Sequence, residues 1–145
     1  MIYVEKPDGF APDFSVAGVF VESKGEILQL LRVADRKIEP MKWGSPAGRI
    51  ESGEDARTTT LRELKEETGL LVFSDQLVFV QQYFVEYPDC KFTYDVFRLL
   101  FPHSPEIILS HEHVAKVWIP PAFASSLDLM TDEWECICLV YGLAF

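Results

Sequence analysis

Glu63, Glu66 and Glu67 stand at positions i, i+3 and i+4 of the run Arg62-Glu63-Leu64-Lys65-Glu66-Glu67. On a helix those offsets gather three carboxylates within an arc of about 100°. Such a cluster opposes helix formation, because like charges at these spacings repel by about 0.2–0.5 kcal/mol per pair. Arg62 relieves part of this as the four-residue partner of Glu66, and it can reach back toward Glu54, but one guanidinium does not neutralise four carboxylates. A surplus of hard oxygen donors selects Mg2+ or Mn2+, ions that keep several waters and favour sites completed by substrate phosphates. A solvated acidic helix face is the competing reading, and the spacing alone does not decide between the two.

The carboxylates need a helix with a fixed start, a fixed stop and an anchored opposite face. The helix should begin near Glu54 or Asp55 and end at Gly69, which can take the left-handed geometry of a helix terminus. Leu61 and Leu64 fall away from the acidic face and should pack on a sheet. Upstream, residues 14–21 and 27–33 are rich in β-branched and aromatic side chains around the turn Ser23-Lys24-Gly25-Glu26, a hairpin signal. Residues 34–43 are charged and irregular, and 46–50 can form a short strand before the loop Glu51-Ser52-Gly53. Residues 76–86 and 91–101 form a second hairpin around Tyr87-Pro88-Asp89-Cys90, and 114–119 a further strand closed by Pro120-Pro121. From Thr131 to Leu143 an acidic first turn and apolar Trp134, Ile137, Cys138 and Tyr141 predict an amphipathic helix.

A chain of 145 residues with 48% hydrophobic content is read as one domain, 1–145, able to bury about 70% of its unfolded surface. No apolar run reaches the roughly eighteen residues of a membrane span, and the first residues lack a basic segment followed by an apolar one, so the expected compartment is the cytoplasm. Three cysteines do not suit a disulfide framework, and Cys136-Ile137-Cys138 reads as buried thiols rather than a metal site. The net charge of −10, from 13 basic against 23 acidic residues, disfavours a long nucleic-acid partner. A small anionic substrate would need metal ions to overcome the same repulsion. Of Arg32, Arg36, Lys37, Lys42 and Arg49, close in sequence to the acidic run, some are read as phosphate or substrate contacts, Arg32 and Arg49 first, with solvated loop charge as the alternative.

The segment from Gly48 to Leu70 resembles the Nudix box, whose fixed positions are matched by Gly48, Glu54, Arg62, Glu63, Leu64, Glu66, Glu67, Gly69 and Leu70. The preceding Trp43-Gly44-Ser45-Pro46-Ala47-Gly48 is similar to the family's lead-in, with Ala47 where glycine is common. The resemblance implies an α+β fold, an α/β/α sandwich with a mixed central sheet, the box helix and a C-terminal helix. It implies hydrolysis of a nucleoside diphosphate linked to another moiety, with Mg2+, or Mn2+, held by Glu63, Glu66 and Glu67 and by the carbonyl of Ala47. Glu112, in the loop before a late strand, resembles a residue that approaches the metals in small Nudix enzymes. Arg62 would orient Glu63 through contacts that include Glu54, and the general base would be Glu63 or Glu112.

The resemblance narrows the substrate less. Tyr87 lies where a tyrosine accompanies diadenosine polyphosphate hydrolysis; the proline expected for ADP-ribose enzymes is replaced by Val85. Nucleoside triphosphates are the broad expectation. Trp43, Tyr83, Phe84 and Phe97 are candidates to stack on a base, although aromatic strand residues usually belong to a core. Two other readings stay in view: an enzyme acting on RNA 5′ ends, and a nucleotide-binding module that keeps the fold without catalysis. Nothing in the sequence fixes the oligomeric state.

Overall fold

A computed structural model describes residues 1–144. The strands are β1 (Ile2–Tyr3), β2 (Phe14–Ser23), β3 (Glu26–Arg32), β4 (Trp43–Gly44), β5 (Ala47–Arg49), β6 (Val78–Glu86), β7 (Lys91–Phe101) and β8 (His113–Ile119), with helices α1 (Ala56–Thr68) and α2 (Glu133–Tyr141). They form a mixed sheet of order β1-β6-β7-β2-β3-β4, to which β5 is added beside β2 and β8 beside β3.

The first hairpin is shorter in pairing than in length. Lys24 and Gly25 turn with φ of 53° and 78°, yet β2 and β3 pair only at Glu22 with Ile27 and Ser23 with Glu26. Beyond that the strands diverge. β2 runs parallel to β7 from Phe14 opposite Phe92 to Ser23 opposite Phe101, while β3 pairs antiparallel with β8. The segment from Trp43 to Arg49 fills the split, with β4 against Leu30 and Leu31 and β5 against Val16, Ala17 and Gly18. Ser45 to Gly48 therefore lie where the sheet opens.

Alternation along β2 divides the core between the two faces, because successive strand residues point to opposite sides. Val19 and Val21 join Leu28, Leu30, Leu64, Phe97 and Leu99 under α1, and Phe20 joins Ile27, Val96, Cys136 and Ile137 under α2. This is the α/β/α sandwich expected. Leu64 is fully buried and Leu61 packs at the edge of the same cluster, which holds the acidic face of α1 away from the core.

The ends of α1 are built by the expected residues. The Asp55 side chain accepts from Thr58 N, and Gly69, at φ 74°, donates its N–H to Lys65 O. Differences elsewhere are local. Residues 74–76 form a 3₁₀ turn, in which the Gln76 side chain accepts from Phe73 N at 2.8 Å, so β6 begins at Val78 rather than Gln76. Asp132 takes φ 67°, which delays α2 to Glu133. The strands β1 and β4, two residues each, carry no periodic pattern to read.

Gly18 faces Ala47 across the β2–β5 pair. A Cβ there would fall 2.5 Å from the Tyr94 hydroxyl and 2.8 Å from the Ala47 Cβ. Gly18→Ala is expected to cost about 1–3 kcal/mol through overpacking, measurable as a lowered denaturant midpoint.

Candidate metal centre and substrate cleft

Arg62 organises the acidic face. Its guanidinium donates to Glu54 from Nε at 2.8 Å and from Nη2 at 3.0 Å. It also donates to Glu63 Oε1 at 2.8 Å, to the Arg49 carbonyl at 3.1 Å and to Glu66 at 3.4 Å. The helix is thereby tied to β5 and to the loop before the helix. Glu54 additionally accepts from Thr59 Oγ1 at 2.9 Å and from Glu51 N at 3.1 Å.

Hydrogen bonding from Arg62 holds the Glu54 carboxyl down to about 2. The stability it contributes is complete above its ordinary value of 4.5 and is lost as pH falls through about 2. Arg62→Met is expected to return the Glu54 midpoint to the ordinary carboxylate range and to move the acid limb of stability upward with it. Carboxyl NMR titration together with melting against pH measures both.

Glu67 is 7% exposed, and its Oε2 accepts from Ala47 N at 3.1 Å. Burial first, then the charge of Glu63, raise its pKa well above the ordinary value. Burial also raises Glu63, against the pull of Arg62. Glu63 lies directly over Gly48: a Cβ on Gly48 would sit 2.1 Å from Glu63 Oε1. Ala47 is not among the positive-φ residues, so the alanine in place of a common glycine costs no backbone strain.

The three carboxylates share the face that the spacing requires, but not a common point. Among the described residues no three acidic, histidine or cysteine side chains surround one position. Their contacts differ: Glu63 is held closely by the Arg62 guanidinium, Glu67 by the Ala47 N–H, and Glu66, whose side chain is 56% exposed, has only a long contact to the same guanidinium. The donor chemistry still fits a hard divalent cation. Oxygen ligands predominate, and the ionised form of buried Glu67 is offset only by one N–H and a weak pull from Arg36, so a cation would stabilise it. Glu112 is ion-paired to Arg36 at 2.8 Å, and its charge is a minor contributor to raising both Glu63 and Glu67.

A cavity of about 410 Å3 opens beside β5. Arg32, Arg36 and Arg49 line it, as do Ala47, Gly48 and Tyr87. The Arg49 guanidinium lies 3.7 Å above the Phe14 ring, and the Tyr87 hydroxyl donates to the Thr131 carbonyl at 3.3 Å. Arg32 keeps a buried Nε without a partner and also lines a smaller cavity with Glu67 and His113. Burial lowers His113 to about 4, so it is neutral at pH 7. Lys42 is paired with Asp128 at 2.7 Å. Trp43 does not line the cavity: its N–H donates to Asp128 O and its carbonyl accepts from Met130 N, both at 2.9 Å. Of the other aromatic candidates, Tyr83 and Phe97 belong to the core.

Sequence reasoning passed over Gln29, Ser45 and Glu133, which are joined by hydrogen bonds of 2.8–3.1 Å. Signals existed for two of them. Gln29 interrupts the apolar run of β3, and Glu133 shares a helix face with buried Cys136 and Ile137, so each needed a polar partner inside.

A family model described as the NUDIX domain matches residues 11–139. The chain belongs to the Nudix family. A dihydroneopterin triphosphate diphosphatase of Escherichia coli is 28% identical to this Nudix chain over 130 residues, 81% of each. The solved structure of the Escherichia coli dihydroneopterin triphosphate pyrophosphohydrolase superposes with a TM-score of 0.72 at 26% identity, covering 88% of this chain and 95% of that one. A Francisella tularensis bifunctional NMN adenylyltransferase/ADP ribose pyrophosphatase, solved with AMP and a manganese ion, gives 0.75 at 23% identity, over 92% of this chain and 42% of that one. The latter likeness is one of fold. Among the described residues no helix is long and apolar enough to cross a membrane.

Proposed function

We propose that this Nudix chain hydrolyses the pyrophosphate linkage of a small nucleotide in the presence of Mg2+ or Mn2+, with a nucleoside triphosphate or a compound of that type as the leading substrate. The observation that carries the reading is the Arg62 network. One guanidinium binds Glu54, Glu63 and the Arg49 carbonyl and so presents the box carboxylates beside a cavity lined by three arginines. The resemblance to an Escherichia coli enzyme named for a triphosphate substrate supports the same class. Tyr87 on the cavity wall keeps diadenosine polyphosphates as the second substrate to test.

Glu63, Glu66 and Glu67 would hold the metal, with the Ala47 carbonyl and Glu112 at its margin. When bound, the cation offsets phosphate charge and lowers the pKa of a coordinated water. The chain's own residues do the positioning. Arg62 holds Glu63 against Gly48, the Ala47 N–H fixes Glu67, and Arg32, Arg36 and Arg49 take phosphate oxygens that the acidic surface would otherwise repel. A carboxylate, Glu63 or Glu112, accepts the proton of the attacking water. A cytoplasmic setting belongs to the same reading.

The test is release of phosphate or pyrophosphate from nucleoside triphosphates, dihydroneopterin triphosphate, diadenosine polyphosphates and 5′-triphosphate RNA, with and without Mg2+. Metal-dependent release from the small triphosphates is expected. Preference for RNA would favour the 5′-end reading, and no release from any of them would leave a binding module.

A further inference from the structure

The hydrolytic reading gives Glu133 no role, yet its carboxyl is held on the cavity wall by three hydrogen bonds. Glu133 opens α2, is 8% exposed and lines the cavity. Its Oε2 accepts three hydrogen bonds, from Ser45 N at 2.8 Å, Ser45 Oγ at 2.9 Å and Gln29 Nε2 at 3.1 Å. Its Oε1 accepts none from the described residues. A buried carboxylate is costly unless both oxygens are satisfied, and burial does raise the Glu133 pKa against the bonds from Ser45 and Gln29. Two of the three donors, a backbone N–H and an amide N–H, cannot act as acceptors. They hold Oε2 in place and leave Oε1 as a fixed acceptor.

The surroundings state what kind of group meets that acceptor. Phe14 and Phe92, stacked with ring centroids 5.2 Å apart and planes within 10°, line the cavity with Tyr87 and Tyr94. Tyr87 meets Phe92 edge-on at 5.3 Å. An aromatic lining of this kind suits a heteroaromatic ring. Ser45, which anchors Glu133, is two residues from Ala47, whose N–H holds Glu67. The Glu133 and Glu67 carboxyls are thus both held by one short segment.

We propose that Glu133 determines base specificity by accepting adjacent N–H donors through Oε1, selecting the 2-amino-4-oxo edge that guanine and pterin rings share. Guanine offers N1–H and the 2-amino group side by side, whereas adenine offers an acceptor at N1 beside its amino group. The inference rests on the cavity being the substrate cleft of the proposed hydrolase, but it is tested on ligands that contain no pyrophosphate linkage. Its failure is therefore distinct from a failure of turnover.

Calorimetric titration of GMP, IMP and AMP into the intact protein reads the site directly, because GMP and IMP differ only by the 2-amino group. GMP is expected to bind tighter than IMP by about tenfold to a hundredfold, the worth of one hydrogen bond to a charged acceptor. In Glu133→Gln the same three donors keep the amide oxygen at the Oε2 position and turn the NH2 into the cavity. The preference for GMP should then disappear, and AMP, with its N1 acceptor, should bind at least as well as GMP. Equal affinity for GMP and IMP in the unchanged protein, no GMP binding at millimolar concentration, or a GMP preference that survives in a folded Glu133→Gln each overturns the proposal. The first comparison needs no variant to fold.

Discussion

Glu67→Gln is expected to lower turnover by about a hundredfold to a thousandfold while the melting temperature stays level or rises. The two effects have one cause. Glu67 sits 7% exposed with a single backbone donor, Ala47 N at 3.1 Å, and burial together with Glu63 opposes its ionisation. Glutamine keeps an oxygen for that N–H and removes the buried charge, so the fold gains by what the metal centre loses. Glu66→Gln separates the explanations further. Its side chain is 56% exposed and makes only a 3.4 Å contact to Arg62, so stability should hardly respond, yet turnover should fall by a similar factor. Steady-state kinetics at saturating Mg2+ alongside thermal melts give both readouts. Wild-type turnover in both variants would remove the metal-ligand assignment.

The box helix could be read from the sequence to within about two residues because its signals are local. Asp55 caps one end, Gly69 the other, and Leu61 and Leu64 oppose the carboxylates. Two partners of Arg62, Glu54 and Glu66, could be read for the same reason, whereas its hold on Glu63 came from the family resemblance. The split of the first hairpin could not be read. Where β2 leaves β3 depends on β7 and β8, strands distant in sequence, and no hairpin pattern encodes a third strand's competition. Trp43 shows the same limit. It was a candidate to stack on a base, but backbone pairing with Leu31, Asp128 and Met130 directs it elsewhere. Glu133 was hidden by a sound rule: acidic residues in a first helical turn commonly face water and the helix dipole. Its face-mates Cys136 and Ile137 pointed inward, but the partners that hold it, Ser45 and Gln29, lie 88 and 104 positions away.

Gly48→Ala tests whether the placement of Glu63, and not only its charge, is required. Gly48 lies in β5 opposite Ala17 and has no positive φ, so alanine meets no backbone strain there. The added methyl would instead fall 2.1 Å from Glu63 Oε1 and 2.8 Å from its Cγ, and a side-chain terminus moves before a paired strand does. Glu63 must then swing out of the position in which Arg62 holds it at 2.8 Å. Displacement of a reacting group by about 1 Å costs roughly a hundredfold in rate, and that is the fall in kcat expected. Stability should decline less than in Gly18→Ala, where the obstacles include the Ala47 Cβ of the paired strand. A crystal structure of Gly48→Ala should show the Glu63 carboxyl turned away from β5. Undiminished kcat with Glu63 so displaced would mean that its position against the strand is dispensable, leaving Glu112 as the acidic residue to carry the role of base.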